Sequence, residues 1–249
     1  MPFPPTPTYT PNDAITVCGG FIRQMSIPQP QTVILLDQTH SAFWTAKPDW
    51  YWTMKALTAI TLVNGQQDYA CTNTDVLKFS GTYRITQTNV TPNRSVPLDF
   101  VEWLEPDLIA GSIESIRSMC YVTASAKLRL DRAAQVTSPT VYVIDGDYQK
   151  IPTKIVYSNL STAFAFPDHY FDAFCEGYLY KLYKYCNDDR AGSLVVTKSG
   201  QRQYTGQLGV FMQKLQEAME SEDYGNGQAQ RFPAETFCVG RGWWPGSYL

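Results

Sequence analysis

The spacing of apolar residues changes period twice along this chain. Between Asn12 and Met25, apolar Ile15, Val17, Phe21, Ile22 and Met25 predict a helix, with Asn12 or Asp13 placed as its cap. Gly19-Gly20 weakens that helix by roughly 1 kcal/mol per glycine, and Pro28 and Pro30 are expected to end it. A second helix is expected from Thr32 to about Ala46, where Leu35, Leu36, Phe43 and Trp44 share a broad face. Ahead of both, prolines at 2, 4, 5, 7 and 11 make residues 1–11 an extended, polyproline-like arm.

From Leu57 the period shortens. Leu57–Val63 alternates with β-branched residues, Asn64-Gly65 offers a turn, and Gln67–Cys71 resumes an extended run. Lys78–Gln87, Ser95–Trp103, Cys120–Ala124, Lys127–Leu130, Val141–Ile144 and Lys154–Tyr157 follow, all short and bounded by Gly, Pro, Asn or Asp. Such spacing predicts an antiparallel sandwich or barrel. Asp107–Arg117 reads as a short helix, because Ile109, Ile113 and Ile116 recur at spacings of 4 and 3.

The last third returns to helical spacing. Pro167-Asp168 is a start signal, with Asp168 as N-cap. Phe171, Phe174, Cys175, Tyr178, Leu179, Leu182, Tyr185 and Cys186 then form one wide stripe. Asn187–Gly192 breaks it, and Gln201–Glu220 carries Tyr204, Leu208, Phe211, Leu215 and Met219 at similar spacing. Two helices with one apolar face each are expected to pack as an αα-hairpin against each other and the sheet. Past Glu222 glycine dominates, yet Phe232, Phe237, Trp243, Trp244 and Tyr248 stand there. Large aromatics on an arm are anchors that bury against a partner, or else fold back over their own domain. The expected fold class is α+β, with segments 1–11, 12–56, 57–160, 161–222 and 223–249.

Composition narrows the chemistry. The 249 residues hold 20 Lys+Arg against 23 Asp+Glu, a formal net charge of −3, which argues against a protein that grips nucleic acid through its phosphates. Charged residues are only 17% and aromatics 14%, a balance that suits a subunit whose faces neighbours cover. No apolar run reaches the roughly 18–20 residues of a membrane span, and Met1–Pro7 does not read as a secretory signal. Six scattered cysteines, at 18, 71, 120, 175, 186 and 238, show no CxxC pair. Free thiols in a reducing compartment are expected rather than disulfides or zinc.

Catalytic motifs are missing as well: no GxSxG, no GxxxxGK[ST] and no HExxH. His40 and His169 are the only imidazoles, and Glu102, Glu105 and Asp107 cluster around Trp103 as an expected solvated loop. Neither an enzyme nor a cofactor is expected. A carbohydrate-binding sandwich using Trp103, Trp243 and Trp244 is the rival class.

The order of pieces carries a resemblance. A strand region "LTAITLVNGQQDYACTNTDVLKFSGTYRI" (57–85), "SAKLRL" (125–130), "PTVYVIDGDYQKIPTKIVY" (139–157), "FAFPDHYFDAFCEGYLYKLYKY" (164–185) and a final amphipathic helix follow a helical N-terminus. Gly-Gln-x-x-Tyr at 65–69, Pro-x-x-Tyr at 139–142 and Pro-Asp-x-Tyr at 167–170 are its cues. The chain resembles the head-to-tail connector family of tailed bacteriophages, neck or adaptor proteins similar to the tail tubular protein A of short-tailed phages. The resemblance implies a virion protein assembled in the host cytoplasm. It implies a ring, commonly of twelve copies, between portal and tail nozzle or tube, with double-stranded DNA passing through its centre. It also implies a helical bundle from both chain ends carrying a β-sandwich, with arms reaching neighbours or the portal; the stretch 139–157 itself reads as a hairpin. Twelve copies at −3 each carry about −36, so DNA would slide through without being held. Tail nozzle, stopper and decoration roles stay open beside the adaptor role.

Overall fold

The computed structural model describes residues 6–22, 27–91, 93–105, 109–197 and 200–225. They fall into two compact units, Thr53–Ile151 and the flanking stretches up to Trp52 and from Pro152. The fold is mixed α+β.

The inserted unit contains β1 (Met54–Ala56), β2 (Ile60–Thr61), β3 (Asp68–Ala70), β4 (Val76–Lys78), β5 (Tyr83–Gln87), β6 (Arg94–Phe100), β7 (Ala110–Ser112), β8 (Ser118–Val122), β9 (Lys127–Leu130), β10 (Ala133–Gln135) and β11 (Tyr142–Lys150). Nine of them form one curled sheet in the order β1-β11-β5-β6-β8-β9-β3, with β2 and β4 also on β11. Every pair in it is antiparallel except β6–β8; β7 and β10 make a separate parallel ribbon. The nine-residue β11 is the hub: its first half pairs β5 and β2, its second half β1 and β4. Ile144 and Tyr148 point from it into a core shared with Ile85, Met119, Leu128 and Leu130.

Several expectations change here. The hairpin over 139–157 is a single strand, because Gly146 is not a turn residue. A Cβ there would meet the Tyr83 ring at 2.4 Å and the Thr82 carbonyl oxygen at 2.7 Å, so glycine serves close approach to β5. Lys154–Tyr157 forms no strand. Asn64-Gly65 does turn, with Asn64 Oδ1 accepting from Val136 N at 3.0 Å. Its flanking strands part company, β2 to β11 and β3 to β9. The helix expected over Asp107–Arg117 is instead β7 and one 3₁₀ turn at Ile113–Ser115. Ile113 and Ile116 are buried, but Ile109 is 55% exposed, so the isoleucines do not line one face.

The flanking unit holds four helices, α1 (Pro11–Gly19), α2 (Gln29–Thr45), α3 (Phe171–Tyr185) and α4 (Gly206–Gly225), and a ribbon of β12 (Leu194–Val196) with β13 (Arg202–Tyr204). The cap of α1 is Thr10, not Asn12 or Asp13: Thr10 Oγ1 accepts from the Asp13 amide while Asp13 Oδ2 accepts from the Thr10 amide at 2.7 Å. This cap sits two or three residues earlier than expected, with Pro11 at a first-turn position that needs no N–H. Pro28 and Pro30 open α2 rather than close α1; Pro28 is its N-cap and Pro30 lies in its first turn. Val17 and Phe21, two of the apolar residues that predicted the first helix, are 48% and 60% exposed.

Aromatic rings fill the core of this unit. Phe43, Trp44, Trp50, Phe166, Tyr170 and Phe174 are all essentially inaccessible. Their ring pairs lie 5.2–6.3 Å apart where they meet, and such pairs add about 0.5–1.5 kcal/mol each beyond area burial. Along α3, Phe174, Tyr178 and Leu182 are buried as the stripe predicts, while Tyr183 replaces Tyr185, which is exposed. α4 begins only at Gly206, because β12 and β13 take up the residues before it. Gly192 permits that switch: its φ is +70°, and a Cβ would strike the Thr205 carbonyl oxygen at 1.9 Å. Gly177 of α3 faces the Phe211 ring of α4, and Lys214 pairs with Asp172 at 3.2 Å.

Candidate functional site

Among the described residues, the titratable side chains singled out in the sequence each have their own surroundings. His40 sits on α2 inside the aromatic core, 4% exposed, with Trp44, Phe164, Phe166 and Phe174 around it. Burial holds its pKa down to about 4, against a weaker opposing pull from Asp37, so the ring is neutral at pH 7. His169 lies beside the Tyr170 ring at 3.9 Å. Glu102 and Glu105 are exposed, as is Trp103 at 67%; Asp107 lies outside the described residues. Among the described residues no group of three His, Cys, Asp or Glu is arranged to hold a metal ion. No helix described there is long and apolar enough to cross a membrane. Cys18, Cys71, Cys120, Cys175 and Cys186 are free thiols, and Cys238 lies outside the described residues.

Asp168 does something other than cap its helix. Pro167 is the N-cap, and Asp168 is the first residue of the 3₁₀ turn Asp168–Tyr170 that leads into α3. Its carboxylate accepts from the Thr8 amide at 2.7 Å, the Thr8 hydroxyl at 2.6 Å and the Tyr9 amide at 3.3 Å. Those bonds, led by the Thr8 hydroxyl, hold its pKa below the ordinary carboxylate value. Tyr9 then stacks on Phe171 with centroids 4.0 Å apart and planes within 8°. Thr8 and Tyr9 are thus a strap laid across the start of α3.

Two features invite a partner. One is exposed apolar surface: Val17 and Phe21 at the end of α1, Ile34 on α2, and Leu194, Val195 and Val196, which leave β12 exposed along its whole length. A three-residue strand in a two-stranded ribbon is marginal in water unless something packs on it. The sequence reading passed over β12; its run of apolar residues between Gly192 and Gly200 was the available signal. The other is a cavity of about 110 Å³ lined by Pro11, His40, Trp44, Ile155, Asn159 and Phe164, among others. Among the described residues His40 makes no hydrogen bond, and its Nδ1 is sealed from solvent without a partner.

Near its C-terminal end α4 is fastened by a buried ion pair that sequence could not reveal. Glu222 Oε2 lies 3.2 Å from Lys47 Nζ, and its Oε1 accepts from the Tyr51 amide at 2.7 Å. Burial lifts the Glu222 pKa to about 6, even though the Tyr51 amide and Lys47 oppose it. The expected anchors Phe232, Phe237, Trp243, Trp244 and Tyr248 lie outside the described residues.

No curated protein matches the chain. The family model described as SU10 adaptor protein matches residues 22–232, most of its length. That family comprises structural phage proteins rather than enzymes. The chain belongs to the SU10 adaptor protein family.

Proposed function

We propose that this phage structural adaptor is the ring-forming neck subunit that joins the portal to the tail nozzle or tube and lines part of the DNA conduit. On this reading the helical unit plays the part of the bundle, and the curled sheet that of the sandwich domain, in proteins similar to tail tubular protein A. Copies meet head to tail around the ring, a heterologous contact that closes by rotation. The observation that carries the reading is the exposed apolar surface of α1, α2 and β12 on a chain with only 17% charged residues. A ring buries such surface between copies, whereas a solitary subunit leaves it wet.

The conduit role agrees with the charge. A ring of twelve would carry about −36, so a duplex in transit meets few cations to neutralise its phosphates. The aromatic arm, with Phe232, Phe237, Trp243, Trp244 and Tyr248, supplies the anchor to the portal or to a neighbouring copy. Deleting residues 226–249 tests this while keeping α4 and Glu222. The truncated chain is expected to keep its circular dichroism spectrum and melting temperature but to fail to join portal and tail. Normal neck assembly by the truncated chain would overturn the anchoring role.

A further inference from the structure

We infer that neighbouring copies dock head to tail through the two ends of the α3–α4 hairpin. The cationic, apolar end of one copy receives the acidic, tyrosine-bearing end of the next. The inference rests on the ring of the adaptor reading and names the faces that close it.

The register of the two helices separates the charges. Gly177 of α3 faces Phe211 of α4, and Asp172 pairs with Lys214, so the helices run antiparallel. The end of α3 therefore lies with the start of α4. There stand Lys181 and Lys184, with Arg190 lying 4.4 Å from the centre of the Tyr183 ring and Arg202 on β13. Asp188 and Asp189 are the carboxylates beside them, and Asp188 is already held by Arg190 at 2.7 Å. The β12–β13 ribbon belongs to the same end, because Thr205, next to the start of α4, donates its amide to the Ser193 carbonyl. Its Leu194, Val195 and Val196 supply exposed apolar surface.

The opposite end carries the opposite sign. Asp168 and Asp172 stand at the start of α3, and α4 runs past them with Glu217 and Glu220. Lys214 is the cation between them, while Lys47 is spent on the buried Glu222. Tyr9, stacked on Phe171, and Tyr51, whose amide bonds Glu222, add exposed rings. At 1.5 Å per residue this register sets Lys184 and Glu220 about 27 Å apart along the hairpin. That is about three Debye lengths at physiological ionic strength, so the ends do not neutralise each other within one copy.

A second copy is the occupant that fits. A heterologous ring contact needs two different, complementary faces on every subunit, and the helical unit holds both. Among the described residues Lys181, Lys184 and Arg202 have no carboxylate partner. Burial, and next the charge of Lys184, hold the Lys181 pKa below its ordinary value, so an incoming carboxylate relieves that site. Complementary potentials then fix the orientation of the contact.

Charge reversal in the full chain, followed by sedimentation, tests this. K181E/K184E makes both ends acidic, and E217K/E220K makes both ends cationic. Each variant alone is expected to self-associate about a hundredfold more weakly than the wild type. An equimolar mixture is expected to regain that factor, because every contact can again join opposite signs. Wild-type association is expected to weaken toward about 1 M salt, where the Debye length falls to about 3 Å. Should K181E/K184E fail to fold by circular dichroism, E217K/E220K and the salt dependence decide. Variants that associate like the wild type, a mixture no stronger than its parts, or a wild-type chain that stays monomeric would each overturn the docking. Rings that still close with either pair reversed would overturn these faces and leave the adaptor reading standing. A duplex oligonucleotide retained by the wild type and lost by K181E/K184E, with association unchanged, would assign the cationic end to DNA and overturn the proposal as well.

Discussion

Replacing Lys47 with methionine tests the buried pair that ties α4 to the loop after α2. Lys47 is 3% exposed and Glu222 4%, so water screens neither charge. Burial already raises the Glu222 pKa from 4.5 to about 6. That shift amounts to about 2 kcal/mol of cost for keeping it ionised in the fold. Because the folded value is the higher one, the native state holds more protons between pH 4.5 and 6. Stability from this group therefore falls as pH rises through that window and levels off above it. Methionine keeps much of the volume and the stem packing, but it removes the cation that offsets the carboxylate. Breaking a buried pair in this way costs roughly 3–5 kcal/mol, and that cost applies where Glu222 is ionised. K47M is therefore expected to lose about 3 kcal/mol or more at pH 8. At pH 5, where Glu222 is largely protonated, the loss shrinks to about 1 kcal/mol, the scale of the Lys47–Trp50 ring contact. Urea unfolding followed by tryptophan fluorescence at both pH values measures this, since Trp50 lies 5.6 Å from Lys47 Nζ. E222Q is the control and should flatten the dependence between pH 4.5 and 6. An equal loss for K47M at pH 5 and pH 8, or a loss below about 1 kcal/mol at pH 8, would refute the reasoning.

Other substitutions follow from single contacts. Gly177→Ala would set a Cβ 2.6 Å from the Phe211 ring. The usual helical gain over glycine should then turn into a net loss of about 1 kcal/mol in urea unfolding. Gly146→Ala drives a methyl into Tyr83 and Thr82 and should lower the melting temperature of the sheet unit, read from its share of the unfolding trace. Asp168→Ala removes the acceptor of Thr8 and Tyr9, so amide exchange at those two residues should quicken while the α3 amides stay protected. The carboxylate's pKa is held down in the fold, so the strap should also loosen as pH falls toward that value, with no change near neutrality. The double variant L194T/V196T should reduce self-association in sedimentation without lowering the melting temperature, because both side chains are exposed.

Periodicity carried the helices furthest. The stripe from Phe171 to Leu182 was legible because apolar residues repeat over several turns and the core lies on one side. The cap of α1 lies two or three residues ahead of the expected one, since Asn12 and Asp13 are both credible caps and only the reciprocal bonds single out Thr10. In the sheet unit most strands were visible as short β-branched runs, but their partners were not. β1 finds β11 more than 80 positions away, and no local signal encodes that register. The isoleucines at 109, 113 and 116 match a helical spacing, yet the backbone there pairs as β7. Glu222 and Lys47 are separated by 175 positions, and Asp168 and Thr8 by 160, so neither contact can be read from sequence. The absence of catalytic motifs was legible from the start, as was the concentration of aromatics after Glu222. Where those aromatics rest was not.

Cryo-electron microscopy of the assembled phage particle, with the copy number of this chain cross-checked by native mass measurement, tests the adaptor claim most directly. The account predicts a closed ring of this chain, commonly twelve copies, seated between portal and tail, with α1, α2 or β12 buried between neighbours. A particle in which the chain is absent from the neck, or present there as isolated copies with those residues still exposed to solvent, would contradict it.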